Sequence, residues 1–410
     1  MPIDVKKYID VDSQDTPIVI YRDKVPVMET LNVTPAITSQ EINPAEGIDG
    51  FSRVNVSAVN ATIDSNILPQ NIKEGVNILG VDGSLKTTKF GATLDAFLGN
   101  TTSGILYEPS DNVNLVFDGV EYLSEYALYY RFYRQANILS VSFPDLLQAN
   151  SYNSLQYCFS YCLNLTSVSC PKATYIRMPN TFSGCSNLET LYFPMLETLN
   201  SSPSAFARTK ATNITIPKVK TIAGCNNCFQ GSGITAVDLP SVESITQSTY
   251  LFSSCPNLVS ANLSGLKSIV GSSGAYGLFY QDGNLETVDM SNLEEVSATN
   301  GLAYAWYGCS KLKMMIFDKL KKIGTNVGGY TFYEFQWAFA NSGIETLSFP
   351  ALKSDSFVDY EVFTNMLYGV DGCTVHFPSN MESVIGQWAD VLNGFGGTNT
   401  TVLFDLPATE

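Results

Sequence analysis

The only histidine, His376, lies in the alternating stretch Thr374-Val-His-Phe377. A Ser-His-Asp centre needs such a histidine oriented by a carboxylate and touching an activated serine. Asp371 is near in sequence, but nothing marks a nucleophile, so a solvent-facing strand histidine is expected. Two carboxylates, Asp238 and Asp289, hold the same place in an internal repeat, two repeats apart. Carboxylates roughly 6.5–9.5 Å apart cleave glycosidic bonds with inversion. Parallel strands about 4.8 Å apart put this pair roughly 10 Å from each other, slightly beyond that window. Solvated strand positions are the plainer expectation. Cys225-Asn-Asn-Cys228 is a lone CxxC, and a structural zinc site wants four soft ligands at recognisable spacing. Nucleotide-binding glycine motifs are absent, and Gly271-Ser-Ser-Gly274 reads as a turn in a repeat loop. No catalytic residue, metal or cofactor is expected.

What positions these residues is the repeat itself. Its unit reads apolar, two residues, apolar, one residue, apolar, then often Pro, as in Leu188-Glu-Thr-Leu191-Tyr-Phe193-Pro194. Other copies start at Ile138, Leu165, Ala211, Ile234, Leu258, Leu285, Leu312 and Ile344, spaced by about 23 to 32 residues. A second, weaker anchor follows, as in Leu196-Glu-Thr-Leu199 and Val242-Glu-Ser-Ile245. A third is an aromatic, two residues, then a small residue: Phe159 with Cys162, Phe252 with Cys255, Trp306 with Cys309. Copies ending in Cys or Asp282 reach the next strand six residues after the aromatic; copies ending in Ser or Thr reach it after five.

One such coil cannot bury its own apolar side chains, but stacked coils bury them as columns. The alternating segment reads as a strand, and Pro ends it because Pro has no N–H for the ladder. The fold expected is mainly β: a solenoid of about nine coils with parallel strands, over 113–378. Most cysteines fall in its buried columns, and an odd total of nine is a poor disulfide framework. Residues 379–410 form a C-terminal cap, with helical spacing across Met381–Leu392.

Outward strand positions alternate with the buried anchors, so they are expected to make one continuous face. Thr190, Tyr192, Asp238, Asn262, Thr287 and Asp289 lie on it, suited to hydrogen bonding with sugars or an extended partner. Aromatics are the second feature. Tyr126, Tyr129, Tyr130 and Tyr133 cluster early; Tyr304, Tyr307, Tyr330, Tyr333 and Trp337 cluster around an enlarged eighth coil. Tyr and Trp offer an apolar body with a polar tip, which suits stacking on sugar rings. Phe132, Trp306 and Phe339 occupy the anchor and belong to the core.

Composition narrows the classes. Charged residues make up 15% of the 410, below the roughly 25% of ordinary domains, and the net charge is −16. Phosphate contacts need clustered Lys and Arg, so nucleic acid is not an expected partner. Lys6 and Lys7 are not followed by an apolar run, so no export leader is expected; neither is membrane insertion.

The repeat resembles the BspA-like leucine-rich repeat family over about 113–378. Ahead of it, Ser52–Val59 alternates like a strand, with turns marked at Asp49-Gly50 and Asp82-Gly83. Val33-Thr-Pro35, Ile48-Asp-Gly-Phe51 and Asn71–Gly83 resemble a small β-rich module of phage and prophage tail-fibre and baseplate proteins, over about 31–88. Residues 1–30 read as an attachment arm and 89–112 as a linker and leading cap. The resemblances imply a virion tail protein that recognises a host cell-surface glycan or protein, docks on other tail proteins through its N-terminal region, and forms a homotrimer. Two rivals stand beside it: a bacterial cell-surface adhesin of the BspA-like type, and a tail-spike glycan hydrolase using Asp238 and Asp289.

Overall fold

The computed structural model describes residues 109–324, 333–357 and 362–409. Ahead of these it describes strands at 28–33, 50–56, 77–78, 81–82 and 86–90, with a few single positions. The chain divides into two compact units, 1–87 and 88–410. In the first, Met28–Val33 pairs in parallel with Gly50–Val56. Gly50 therefore opens the expected strand rather than a turn. Asp82 likewise pairs with Asn77 in a short antiparallel hairpin, and Gly83 extends that ladder by donating to the Val76 carbonyl at 2.8 Å. Asp82-Gly83 is not the turn its composition suggests, because a two-residue signal is weaker than the strand pairing around it; Asp49 lies outside the described residues. Most of the arm over 1–30 and of the linker over 89–112 lies outside the described residues.

The second unit is a mainly β parallel solenoid, as its repeats require. Each full coil has three sides. The Pro-terminated segments form the first row of strands, from Val113–Phe117 onward. The second anchors form the second row, an unbroken eight-stranded sheet from Gln148–Ala149 to Lys322–Ile323. The anchor that looks weaker in sequence thus makes the more continuous sheet. On the third side the buried aromatics stack: Phe132, Phe159, Phe182, Phe206, Phe229, Phe252 and Phe279 follow one another at 5.2–5.8 Å between ring centroids. Leu, Ile, Val, Phe and all nine free cysteines fill the interior.

The first row is not the single face expected. It is three sheets, broken between Asn213–Thr215 and Ala236–Asp238 and again between Thr287–Asp289 and Met314–Ile316. Backbone bonds mark the gaps. Phe193 N–H donates to Thr215 and Leu239 N–H to Asn262, both at 2.9 Å; among the described residues no equivalent bond joins Ile216 to Asp238. The first break falls where two five-residue connections, into Ala211 and Ile234, follow each other. It leaves a cavity of about 80 Å³ lined by Ile214, Ile216, Val237 and Leu239, with Asp238 at its edge.

At the C-terminus the expected helix is two single turns, Glu382–Ile385 and Ala389–Leu392. Thr374–Pro378 is not the last rung, since Thr401–Leu406 pairs beside it in parallel. Val402 and Phe404 from this strand pack on the end of the core. No helix among the described residues is long and apolar enough to cross a membrane.

Candidate functional site: the aromatic third side

The third side is built from alternating backbone donors. Tyr304, Trp306 and Gly308 donate N–H to Gln336, Ala338 and Ala340 of the next coil at 3.0, 2.7 and 3.0 Å. Between them, Ala305 and Tyr307 donate within the coil to Leu302 and Tyr304 at 3.0 and 3.2 Å. This alternation needs left-handed residues on each side of the buried aromatic, two positions away. Tyr304 and Gly308 flank Trp306 with φ of 57° and 75°; Trp337 and Asn341 flank Phe339 with 55° and 54°.

Left-handed backbone is cheap for Gly and tolerable for Asn, but costs about 1–3 kcal/mol for a bulky residue. Some coils use the cheap solution, such as Asn180 with Gly184 and Asn227 with Gly231. Others place Tyr130, Tyr157, Tyr161, Tyr250, Tyr304 or Trp337 there, or a long polar side chain, as at Arg134, Arg208 and Gln281. The outer rings are therefore held at a conformational cost that the Asn and Gly coils avoid.

The rings form two groups. The larger runs along the C-terminal coils. Tyr250 meets Tyr276 at 5.2 Å and Tyr280 at 5.6 Å; Tyr280 stacks on Tyr307 at 5.0 Å. Tyr276 leads to Tyr304 at 5.3 Å, Tyr304 stacks on Trp337 at 6.0 Å, and Trp337 meets Tyr368 at 4.5 Å. Gly277 makes room for this: a Cβ there would lie 2.6 Å from the Tyr250 ring. Burial first, then neighbouring tyrosines, raises the pKa of Tyr276, Tyr280 and Tyr304, so these hydroxyls stay protonated and able to donate. Asn341 Nδ2 donates to the Tyr307 hydroxyl at 2.9 Å. The smaller group joins Tyr126, Tyr129, Tyr130, Tyr133, Tyr157 and Tyr161, with the Arg134 guanidinium 5.0 Å from the Tyr133 ring centre. Each group offers half-exposed ring faces with polar rims, which suits a flat, partly apolar, hydroxyl-rich ligand.

The structure brings Tyr304, Tyr307 and Trp337 together here. Tyr330 lies outside the described residues, and Tyr333 lines a separate cleft beside Trp388. Tyr250, Tyr276, Tyr280 and Tyr368 belong to the group but lie outside the eighth-coil cluster picked out in the sequence. Part of their signal was present: Tyr250 stands two before the buried Phe252 and Tyr280 one after the buried Phe279.

The strand-face residues do not share one sheet. Thr190 and Tyr192 lie before the first break; Asp238, Asn262, Thr287 and Asp289 lie after it. Asp238 and Asp289 sit in register on either side of Asn262. Asn262 Nδ2 donates to Asp238 Oδ1 at 2.7 Å, and the Ser291 N–H donates to Asp289 Oδ1 at 2.9 Å. An amide fills the rung between the carboxylates, so they do not face each other across a gap that a glycosidic bond and water would share. His376 Nδ1 lies 2.9 Å from Asp405 on the added strand. Asp371 is occupied elsewhere, accepting from Thr398 Oγ1 and Asn399 Nδ2 at 2.9 and 2.8 Å. No cluster among the described residues has the makings of a metal site.

No curated protein matches the sequence. Among solved structures it is similar to the pneumococcal vaccine antigen PcpA, at 15% identity over 73% of this chain and 91% of that one, TM-score 0.26. It is also similar to the T. pallidum leucine rich repeat protein TpLRR, at 17% identity over 49% and 78%, TM-score 0.22. Six repeat copies match the BspA type leucine rich repeat region, over residues 118–232 and 224–368. These matches span more than half of the sequence, and the chain belongs to the BspA-type leucine-rich repeat family.

Proposed function

We propose that this chain is a non-catalytic recognition protein whose aromatic third side binds a cell-surface glycan. The observation that carries the reading is the set of Tyr and Trp residues held in left-handed backbone, where Gly or Asn would be cheaper. Their half-exposed rings stack on one another, so little conformational entropy is lost on binding. Repeats of this type suggest a surface or adhesin-type protein, and a solenoid of this kind is typically a binding scaffold. Few charges and a net −16 favour a neutral ligand over an anionic one.

In this reading the unit over 1–87 mounts the binding solenoid on a larger assembly. The resemblance of residues 31–88 to tail-fibre and baseplate modules favours a virion tail, with host adsorption strengthened by several copies acting together. Cell retention tests the binding claim: labelled full-length protein is incubated with host-type cells before and after periodate oxidation of surface sugars. Retention lost on oxidation supports a glycan. Unchanged retention, lost instead on protease treatment, would replace it with a protein receptor. Mass by light scattering tests the assembly: a trimer fits a fibre, and a monomer moves the assignment to a surface adhesin.

A further inference from the structure

The first break in the first row, between Asn213–Thr215 and Ala236–Asp238, opens on one side only. The same two coils stay in register on the second row, where Thr221 pairs with Ser244 and Ile222 with Ile245. On the third side Phe229 still stacks on Phe252 at 5.4 Å. The coils therefore splay like a wedge, and Phe229 and Phe252 help line the cavity of about 80 Å³ between its lips. Ile214 is only half-buried here, although its counterparts Leu191 and Val237 are buried. Backbone groups are open at both ends of the gap. Thr212 N–H bonds the Glu189 carbonyl at 3.1 Å and Val259 N–H bonds that of Thr235 at 2.9 Å. Among the described residues no such bond joins Thr235 N–H to Thr212, just as none joins Ile216 N–H to Asp238. Backbone donors beside apolar walls are nearly always paired, so two open ones call for a partner.

Width decides what that partner is. Two of the three sides hold these coils together, so no strand can enter between them, since it would need about 4.8 Å from each neighbour. An acyl tail is too long, because about 80 Å³ is roughly half of the 150 Å³ that admits benzene. We infer that the wedge holds the acetamido group of an uncharged N-acetylhexosamine. Its methyl meets Phe229, Phe252 and Ile214, and its carbonyl accepts from the open N–H of Ile216 or Thr235. A peptide presents its amides along an extended strand, whereas a sugar carries this one as a pendant group. Thr212, Asn213 and Thr215 on one lip offer hydroxyl and amide groups to the sugar ring, and no Lys, Arg or His lines the cavity. The inference rests on the glycan-binding reading and adds a contact on a side other than the rings.

The test mixes the full chain with an N-acetylhexosamine, its parent hexose or, as a peptide probe, N-acetylalanine amide. Contact is read by saturation-transfer NMR. Transfer should be strongest at the acetyl methyl of the sugar. Ile214→Phe fills the wedge and should abolish that signal without lowering the melting temperature, while Trp337→Ala should leave it intact. Ile214→Ala enlarges the wedge and should admit an N-butanoyl hexosamine that the wild type rejects, which keeps the test decisive if the Phe variant does not fold. Methyl transfer unchanged in folded Ile214→Phe, or rejection of the larger acyl group by Ile214→Ala, would overturn the wedge. Transfer lost in Trp337→Ala instead would move the acetamido group to the rings and leave the glycan reading standing. Binding of N-acetylalanine amide in place of the sugar would overturn the sugar as occupant. No transfer to either sugar, together with cell retention that survives periodate, would overturn both readings.

Discussion

Asp282 is an acid in a column otherwise filled by small, uncharged residues. It follows the buried aromatic where other coils have Cys162, Cys185, Thr209, Ser232, Cys255, Cys309 and Ser342. It is fully buried, its Oδ2 has no hydrogen-bond partner, and burial pushes its pKa up to about 9. The Cys255 N–H bonds Asp282 Oδ1 at 2.6 Å. In other coils the same N–H bonds its own aromatic's carbonyl, as Cys162 does to Phe159 and Cys185 to Phe182 at 3.1 and 3.2 Å. The folded chain holds the protonated acid, while the unfolded chain ionises it near the ordinary value of 3.8. Its contribution is therefore complete below about pH 4 and falls as pH rises towards 9. At about 1.4 kcal/mol per pH unit, the penalty reaches about 4 kcal/mol at pH 7. Asp282→Ser removes it and lets Cys255 return to its own carbonyl, while the small void costs about 1 kcal/mol at every pH. Urea unfolding of both proteins from pH 5 to 8 should show their stability difference widening in the variant's favour by about 1.4 kcal/mol per unit. A difference that stays constant across this range, or a variant less stable at pH 8, would refute the reasoning.

Three further outcomes follow from the same geometry. Gly277→Ala should lower stability by about 1–2 kcal/mol, because it strains a φ of +62° and drives a Cβ into the Tyr250 ring; a thermal midpoint equal to wild type would contradict this. Burial pushes the thiols of Cys162, Cys255 and Cys373 up to about 12, so a thiol reagent at pH 8 should label the native protein slowly and the denatured one fully, with no loss of melting temperature in reductant. The double change Asp238→Asn with Asp289→Asn should leave glycan binding within about twofold, and release of reducing ends that disappears with it would restore the hydrolase.

The solenoid was readable because buried columns repeat at constant offsets, and each buried anchor is recognisable by type. Its outer surface obeys no such rule. Tyr304, Ser204, Asn227 and Gly277 all occupy the same left-handed position, so residue type alone does not reveal the alternating backbone. The breaks in the first row were hidden for the opposite reason: Asn213–Thr215 and Ala236–Asp238 continue the sequence pattern although their backbones do not pair. The final strand could have been found, since Val402, Phe404 and Leu406 alternate and Pro407 follows, but Asp405 stands where the repeat has Pro right after its last apolar anchor.

The most direct measurement compares cell retention of two full-length variants with that of wild type. One removes rings from the third side, Tyr280→Ala with Trp337→Ala; the other alters the strand face, Tyr192→Ala with Thr287→Ala. Rings that each contribute about 1–3 kcal/mol predict at least a tenfold loss for the first pair and little change for the second. Retention that survives the first pair and falls with the second would place recognition on the strand face and contradict the account.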